Sequence, residues 1–468
     1  VCDGINDPGG PRRCPSQRGE RRREYRRALY AAQKAAAITD PAGPDSTPGD
    51  HSAIAADSQV REACAAASAA FAAFTSNQDF ETLRRYESAV RYAGELVATQ
   101  VDAEISARLD PTELDRLDAD AAVLEAAAIK HASEKRAVEQ RVHDLRAKLR
   151  RLPPSERVQY LDEIDEVITD FNQRTRTLQA VAAEIERRRL AHGASEGRVA
   201  AEVLGRYRQY GTVVPDVHQS TTKRAQQVTA AASTVFPADW MTASNNSRRM
   251  IVKESKDRAY YQHQSRVRVS EDTDYDYSAD PKSEQTWATR KEMPPAPEKS
   301  TVDRMRELDW PDGEPKWVAV RDPETRRWGW KLRMTYKGTV TMSELRVPSS
   351  ASTAEDTHRT AIHEMSHRVE AFNVAATAAC LSFRERRTMA ADGTPHPLQQ
   401  YAKGEYVRPD DFVDVYVGKQ YQSSVHTEVL SMGMESVFGG SHGGLKGRHG
   451  YRADPEHRHL ILGLCATV

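Results

Sequence analysis

Two stretches of 3-4 apolar spacing, on either side of a proline pair, restrict this chain more than anything else in it. Leu114, Leu117, Ala121, Leu124 and Ala128, then Val138, Val142, Leu145, Leu149 and Leu152, keep one stripe that His131 and Lys135 interrupt once. The spacing resumes at Leu161, Ile164, Ile168, Phe171, Thr175, Leu178, Ala182 and Ile185. Pro153 and Pro154 cannot continue a helix, and Ser155 is a candidate cap for the next one. Two long helices with matching seams predict an antiparallel coiled-coil hairpin that serves as a spacer or association arm.

The rest of the chain divides around that feature. With 468 residues a single core is not expected. Residues 1–50 are rich in Gly, Pro, Arg and Asp and read as a mobile basic arm. Its run Arg21, Arg22, Arg23, Arg26 and Arg27 is interleaved with Glu20 and Glu24, so a solvated helix face is preferred to a nucleic-acid contact. Residues 51–194 form an alanine-rich helical region that contains the hairpin, and 195–234, where the pattern weakens, read as a linker. From 235 onward short β-branched or aromatic runs appear: "RMIVKE", "AYYQHQSRVRVS", "KWVAVRD", "RRWGWKLRM" and "GTVTMSELRV". "RDPETRR" supplies hairpin chemistry between the third and fourth. Strands followed by helices make 235–468 an α+β domain, and "GTVTMSELRV" is a candidate edge strand for an extended substrate.

Bulk properties remove several classes of function. Lys+Arg and Asp+Glu number 67 and 68, so no overall charge points to nucleic acid or an anionic membrane. Five cysteines, Cys2, Cys14, Cys64, Cys380 and Cys465, are scattered with no C-x-x-C pair, against a disulfide framework or a structural zinc knuckle. No apolar run reaches the length of a membrane span, and the opening "VCDGINDPGGPRRCPSQRGERRREYRR" has no apolar h-region. A cytoplasmic protein, or one packaged in a phage or injection particle, is expected.

The chemistry concentrates in "TAIHEMSHRVEAF", residues 360–372. On a helix His363 and His367 project from one face and can reach one ion. Glu364, one step round, sits where a carboxylate can take a proton from a metal-bound water whose pKa falls to about 7. Ser352 with Glu355 three residues later offers a capping box, predicting a helix from 353 to 372 that Ala361, Ile362, Met365, Val369 and Phe372 bury and Asn373 ends. Glu370 and Asn373 stand where a metzincin needs Gly and His, which excludes that subclass. Glu370 shares the helix face and is assigned to a supporting or salt-bridge role, because three ligands from one helix surround an ion poorly.

A third ligand is sought in "YQSSVHTEVLSMGMESVF", residues 421–438, read as a second helix. Glu428 and Glu435 lie two turns apart on it, and one of them should reach the metal. His426 and His396 are weaker alternatives. His457 and His459 in "EHRH" read as the surface side of a strand, Met432 and Met434 as core residues, and Gly439, Gly440, Gly443 and Gly444 as a lid or turn rather than a phosphate loop.

"HEMSHRVEAF" followed by a glutamate on a later helix resembles the gluzincin plan. Together with "YVGKQYQSSVHTEVLSMGMESVF" it is similar to the zincin-type domains of phage minor head proteins and of toxin-like effectors such as anthrax lethal factor. The resemblance covers residues 235–468. It implies a zinc-dependent endopeptidase acting on a protein or peptide substrate, with the third ligand at Glu428 and Tyr421, seven residues earlier, stabilising the oxyanion. The lethal-factor pattern has a further glutamate four residues after the ligand, where this chain has Met432. The competing expectation is a structural or delivery component of a phage head or contractile injection particle, whose zincin fold is not catalytic and whose helical arm docks on the particle.

Overall fold

Residues 51–256, 258–275, 289, 291, 314–321, 326–421 and 426–467 are described by a computed structural model of the chain. The stretch read as a mobile arm, 1–50, lies outside the described residues. Four helices come first: α1 (His51–Asn77), α2 (Phe80–Arg108), α3 (Thr112–Leu149) and α4 (Arg157–Leu204). The side chain of Asp79 accepts from the Thr82 N–H at 2.8 Å and so starts α2. Cross-contacts between α3 and α4 step in opposite chain directions: Arg141 to Glu163 at 3.0 Å, Glu134 to Arg174 at 3.3 Å and Asp118 to Arg189 at 2.6 Å. His131, the break in the apolar stripe, is absorbed there, stacked on Phe171 at 4.2 Å and bonded to Thr175 at 2.8 Å. Ser155 is not a cap. It lies inside a 3-10 turn over Pro154–Glu156, and α4 begins at Arg157 with no side-chain cap.

The stretch 195–234, expected as a linker, is ordered and buried in part. Helix α4 continues to Leu204 with Val199, Ala200, Val203 and Leu204 in the core, and α5 (Lys223–Ser233) follows, capped by Thr222. Small and β-branched residues carry this packing, so the hydrophobic contrast that signals a helix face is weak in the sequence. Residues 51–108 are likewise not set apart. Val60, Phe74, Tyr86, Val90 and Val97 share one core with residues from Trp240 to Leu464. Tyr86 Oη donates to the Ala375 carbonyl at 3.2 Å, and Asp102 pairs with Arg458 at 2.8 Å.

The architecture of the described residues is mixed α+β, mostly helical with small sheets. After α6 (Ala238–Ser247) come β1 (Met250–Ser255), β2 (Tyr260–Tyr275), β3 (Glu314–Arg321) and β4 (Trp328–Pro348). The expected edge strand "GTVTMSELRV" is instead the second half of β4, the central strand. It pairs antiparallel with β2 along its length (Val267 with Val340) and, from Ser343 onward, in parallel with β1 (Ile251 with Glu344), so from Ser343 both its edges are taken. Its first half pairs antiparallel with β3, Val318 with Lys331, and the turn between them is largely outside the described residues. Among the described residues β1, β2 and β3 each pair with β4 alone, so β2 has one strand edge open.

Helices α7 (Ala354–Phe372) and α8 (Val374–Arg387) follow, then a second sheet of β5 (Gln399–Ala402), β6 (Glu405–Val407) and β7 (Lys419–Gln420) in that order. Two buried helices close the chain, α9 (Val429–Gly439) and α10 (Pro455–Thr467). His457 and His459 are on α10, not a strand, and His457 is fully buried, its Nε2–H donating to the Val429 carbonyl at 2.7 Å. The glycines at 439–444 form a packed turn: Gly440 has φ +83°, and a Cβ on Gly193 of α4 would lie 2.3 Å from its Cα.

Candidate metal centre

Helix α7 is fixed at its start by Thr353, whose hydroxyl accepts from the Asp356 N–H at 3.1 Å, with Glu355 and Asp356 in the first turn. The cap is therefore one residue later than Ser352. Glu355 turns away from a capping box to meet Arg187 of α4 at 2.9 Å. Asn373 ends α7 and caps α8 through Ala376 N–H at 2.9 Å. Ala361, Ile362, Met365 and Val369 bury one side of the helix, which leaves His363 and His367 on another, ring centroids 5.0 Å apart.

Glu428 meets both histidines. Its Oε2 lies 3.4 Å from His363 Nε2 and 3.2 Å from His367 Nε2. Ligand bonds of about 2.0–2.1 Å in a tetrahedron place neighbouring donors roughly 3.3 Å apart. The spacing thus suits one small cation, and two imidazole nitrogens with one carboxylate are a zinc-type donor set. Helix α9 does not extend back to 421 as expected. It starts at Val429, since the Thr427 hydroxyl accepts the Val429 N–H at 3.2 Å and competes with a further helical turn, while 422–425 lie outside the described residues.

Electrostatics at this point favour positive charge. Burial alone would lift the Glu428 carboxyl, but His367 and His363 beside it outweigh that and hold it well below its ordinary value. Burial opposes charge on His363 and His367 as well, yet contact with Glu428, and for His363 also Glu435, raises both. Tyr421 Oη donates to Glu428 Oε1, and Ser431 Oγ donates to Oε2 at 2.7 Å.

Glu435, which the sequence left as an alternative ligand, stands behind His363. Its Oε2 is 2.8 Å from His363 Nδ1, and its Oε1 accepts from Arg359 and, at 2.8 Å, from Ser441. Burial works to raise this carboxyl, but His363 and Arg359 bring it down to about 2. An ionised Glu435 keeps the proton on Nδ1 and so turns the Nε2 lone pair toward Glu428 and His367. The carboxylate against His363 thus comes from Glu435, three residues after Met432. Met432 itself is buried, as is Met434.

Glu364 is 6% exposed and lines the cleft, with its carboxyl raised by burial. Among the described residues it makes no hydrogen bond, unlike Glu370, Glu428 and Glu435. The cleft holds about 950 Å³ and is walled by Arg258, Ala259 and the start of β2 (Tyr260 to His263), by Tyr401, Ala402 and Glu405, and by Tyr416, Lys419, Tyr421 and His426. His426 is in this wall, its ring 6.0 Å from His263 and outside the three-residue cluster, as is His396. Lys419 was not anticipated. Its ammonium lies 4.6 Å and 4.7 Å from the ring centres of Tyr416 and Tyr421, 2.7 Å from Tyr416 Oη and 3.8 Å from Glu428 Oε1. A lysine between two tyrosines in a β-type run carries no recognisable spacing, so only the fold discloses it.

The chain matches no family model, no curated protein and no solved structure.

Proposed function

We propose that this chain is a zinc-dependent endopeptidase of the gluzincin plan, with a zincin-type fold over residues 235–468 and a coiled-coil hairpin formed by α3 and α4. The observation that carries the reading is the convergence of His363 Nε2 and His367 Nε2 on Glu428 Oε2, at 3.4 Å and 3.2 Å, in a cleft that a buried Glu364 also lines. His363, His367 and Glu428 would hold the zinc, which would supply Lewis acidity and lower the pKa of the attacking water. Glu364 accepts the proton of the attacking water and returns it to the departing amine. Tyr421 stands beside the ligands and donates to the developing oxyanion, exchanging its bond to Glu428 for the new one. An extended peptide fits the open edge of β2, whose first residues wall the cleft, in place of the edge first expected on β4.

Metal analysis and an unbiased peptide-cleavage profile test this reading. The parent should carry one zinc per chain and cleave, and Glu364→Gln should keep the metal while losing about 10²–10⁴-fold in rate. A parent without stoichiometric zinc, or a Glu364→Gln variant as active as the parent, sinks the proposal. The length of α3 and α4 supports a second reading, a docking element of a phage head or injection particle. Val123 and Ile129 on α3, and Val158 and Leu161 on α4, are more than half exposed. A parent that binds zinc, cleaves nothing and co-assembles with such a particle favours that alternative.

A further inference from the structure

We infer that Glu370 is the positioning residue that locks the third ligand, Glu428, in register with the two-histidine face of α7; the inference rests on the metal-site reading above. Glu370 follows His367 by one turn and is buried. Both its carboxylate oxygens accept from a single residue, Thr427: the Thr427 N–H donates to Oε2 at 3.1 Å and the Thr427 hydroxyl to Oε1 at 2.7 Å. Thr427 immediately precedes Glu428. Its hydroxyl oxygen also accepts from Val429 N–H on the far side of the ligand. One carboxylate therefore holds the chain on both sides of Glu428, directly before it and through the hydroxyl after it.

The position needs such a brace. Glu428 precedes the first residue of α9, with φ −93° and ψ 3°, so helical hydrogen bonds do not set its own N–H. Ligand geometry tolerates displacements of only about 0.5 Å. A carboxylate buried in α7 costs desolvation that an apolar side chain would avoid, so packing alone does not explain Glu370. Its two bonds tie the helix that carries His363 and His367 to the segment that carries Glu428. At the other end of the same turn the Thr377 hydroxyl donates to the Glu370 carbonyl at 2.6 Å, which fixes the end of α7 from which the brace is built.

The test is zinc affinity near neutral pH, by competition with a chromophoric chelator, on the parent, Glu370→Gln, Thr427→Val, Thr427→Ser and the Glu370→Gln/Thr427→Val double variant. Melting of each metal-free protein is followed alongside. Glu370→Gln and Thr427→Val should each weaken zinc binding by about 10–100-fold, the usual cost of losing a ligand's support. Thr427→Ser, which keeps the hydroxyl, should retain the parent affinity. The double variant should bind no more weakly than the worse single one, because the two residues act as one unit. Parent affinity in Glu370→Gln and Thr427→Val, with or without a lower melting temperature, overturns the inference while leaving the metal site standing. Failure of the parent itself to bind zinc overturns the metal-site reading and this inference with it. If Glu370→Gln does not fold, the contrast between Thr427→Val and Thr427→Ser decides alone.

Discussion

Gly94 of α2 and Gly463 of α10 face each other so closely that adding one methyl group to either is a test of the whole arrangement. A Cβ on Gly94 would lie 1.7 Å from the His459 carbonyl oxygen and 2.7 Å from Gly463 N; one on Gly463 would lie 1.9 Å from the Val90 carbonyl oxygen. Ordinary contact needs about 3.5 Å, so the helices must part by roughly 1.8 Å, and no side chain can swing aside because the obstructing atoms are backbone. Overpacking costs typically 1–3 kcal/mol, and this geometry belongs at about 3. Alanine regains about 1 kcal/mol over glycine from helix propensity. Gly94→Ala should therefore destabilise by roughly 2 kcal/mol, whereas an independent helix would gain. In the double variant with Gly463→Ala the second methyl enters a gap already opened, so the cost should fall short of the sum by about 1 kcal/mol. Urea unfolding followed through buried Trp240 measures this as a midpoint shift at constant slope. A neutral or stabilised Gly94→Ala would refute the contact, and with it the claim that residues 80–108 share the core of the site helices.

Two further outcomes are expected. Glu435→Gln should weaken zinc binding by about 10–100-fold in chelator competition, since a neutral amide oxygen accepts the His363 Nδ1 proton less strongly than a carboxylate; unchanged affinity would remove Glu435 from the site. His457 is kept below its ordinary 6.5 by burial, so its contribution to stability is complete above the unfolded value and is lost as pH falls through the lower folded one. Urea midpoints of the parent should thus drop more steeply below about pH 6.5 than those of His457→Gln, and parallel curves would contradict this.

What the sequence makes legible is periodic or short-range. The i, i+4 histidines sit on an amphipathic helix, and the seven-residue gap between Glu428 and Glu435 places both on one face, so that two roles remain to be divided between them. The division itself depends on how α9 lies on α7, which no local pattern encodes. The same limit explains the misplaced edge strand. "RRWGWKLRM" and "GTVTMSELRV" read as two runs because Lys337 and Gly338 look like a break, yet pairing with Ser270 and Val269 of β2 carries β4 through them. His457 and His459 read as a strand face because a two-residue alternation is too short to distinguish periods of 2 and 3.6. The cap at Thr353 rather than Ser352 is a choice between adjacent residues of equal aptitude, settled by where Asp356 falls.

Burial of charge supplies the last step toward a catalytic rather than a purely structural reading. His363, Glu364, His367, Glu370, Glu428 and Glu435 are six ionisable groups removed from water around two helices, where apolar residues of similar volume would stabilise a scaffold at least as well. Five of them have definite partners: His363 and His367 on Glu428, Glu435 on His363, Glu370 on Thr427. Those bonds account for the burial of five of the six. Glu364 differs, being buried, raised by desolvation and directed at the cleft with no hydrogen bond among the described residues. A structural zinc site gains nothing from an uncommitted carboxylate next to its ligands, since it adds desolvation cost and repulsion from Glu428. A general base needs that freedom, because the proton it takes must come from a molecule the protein does not itself hold. The comparison of Glu364→Gln with the parent is therefore the substitution on which the enzymatic reading stands or falls.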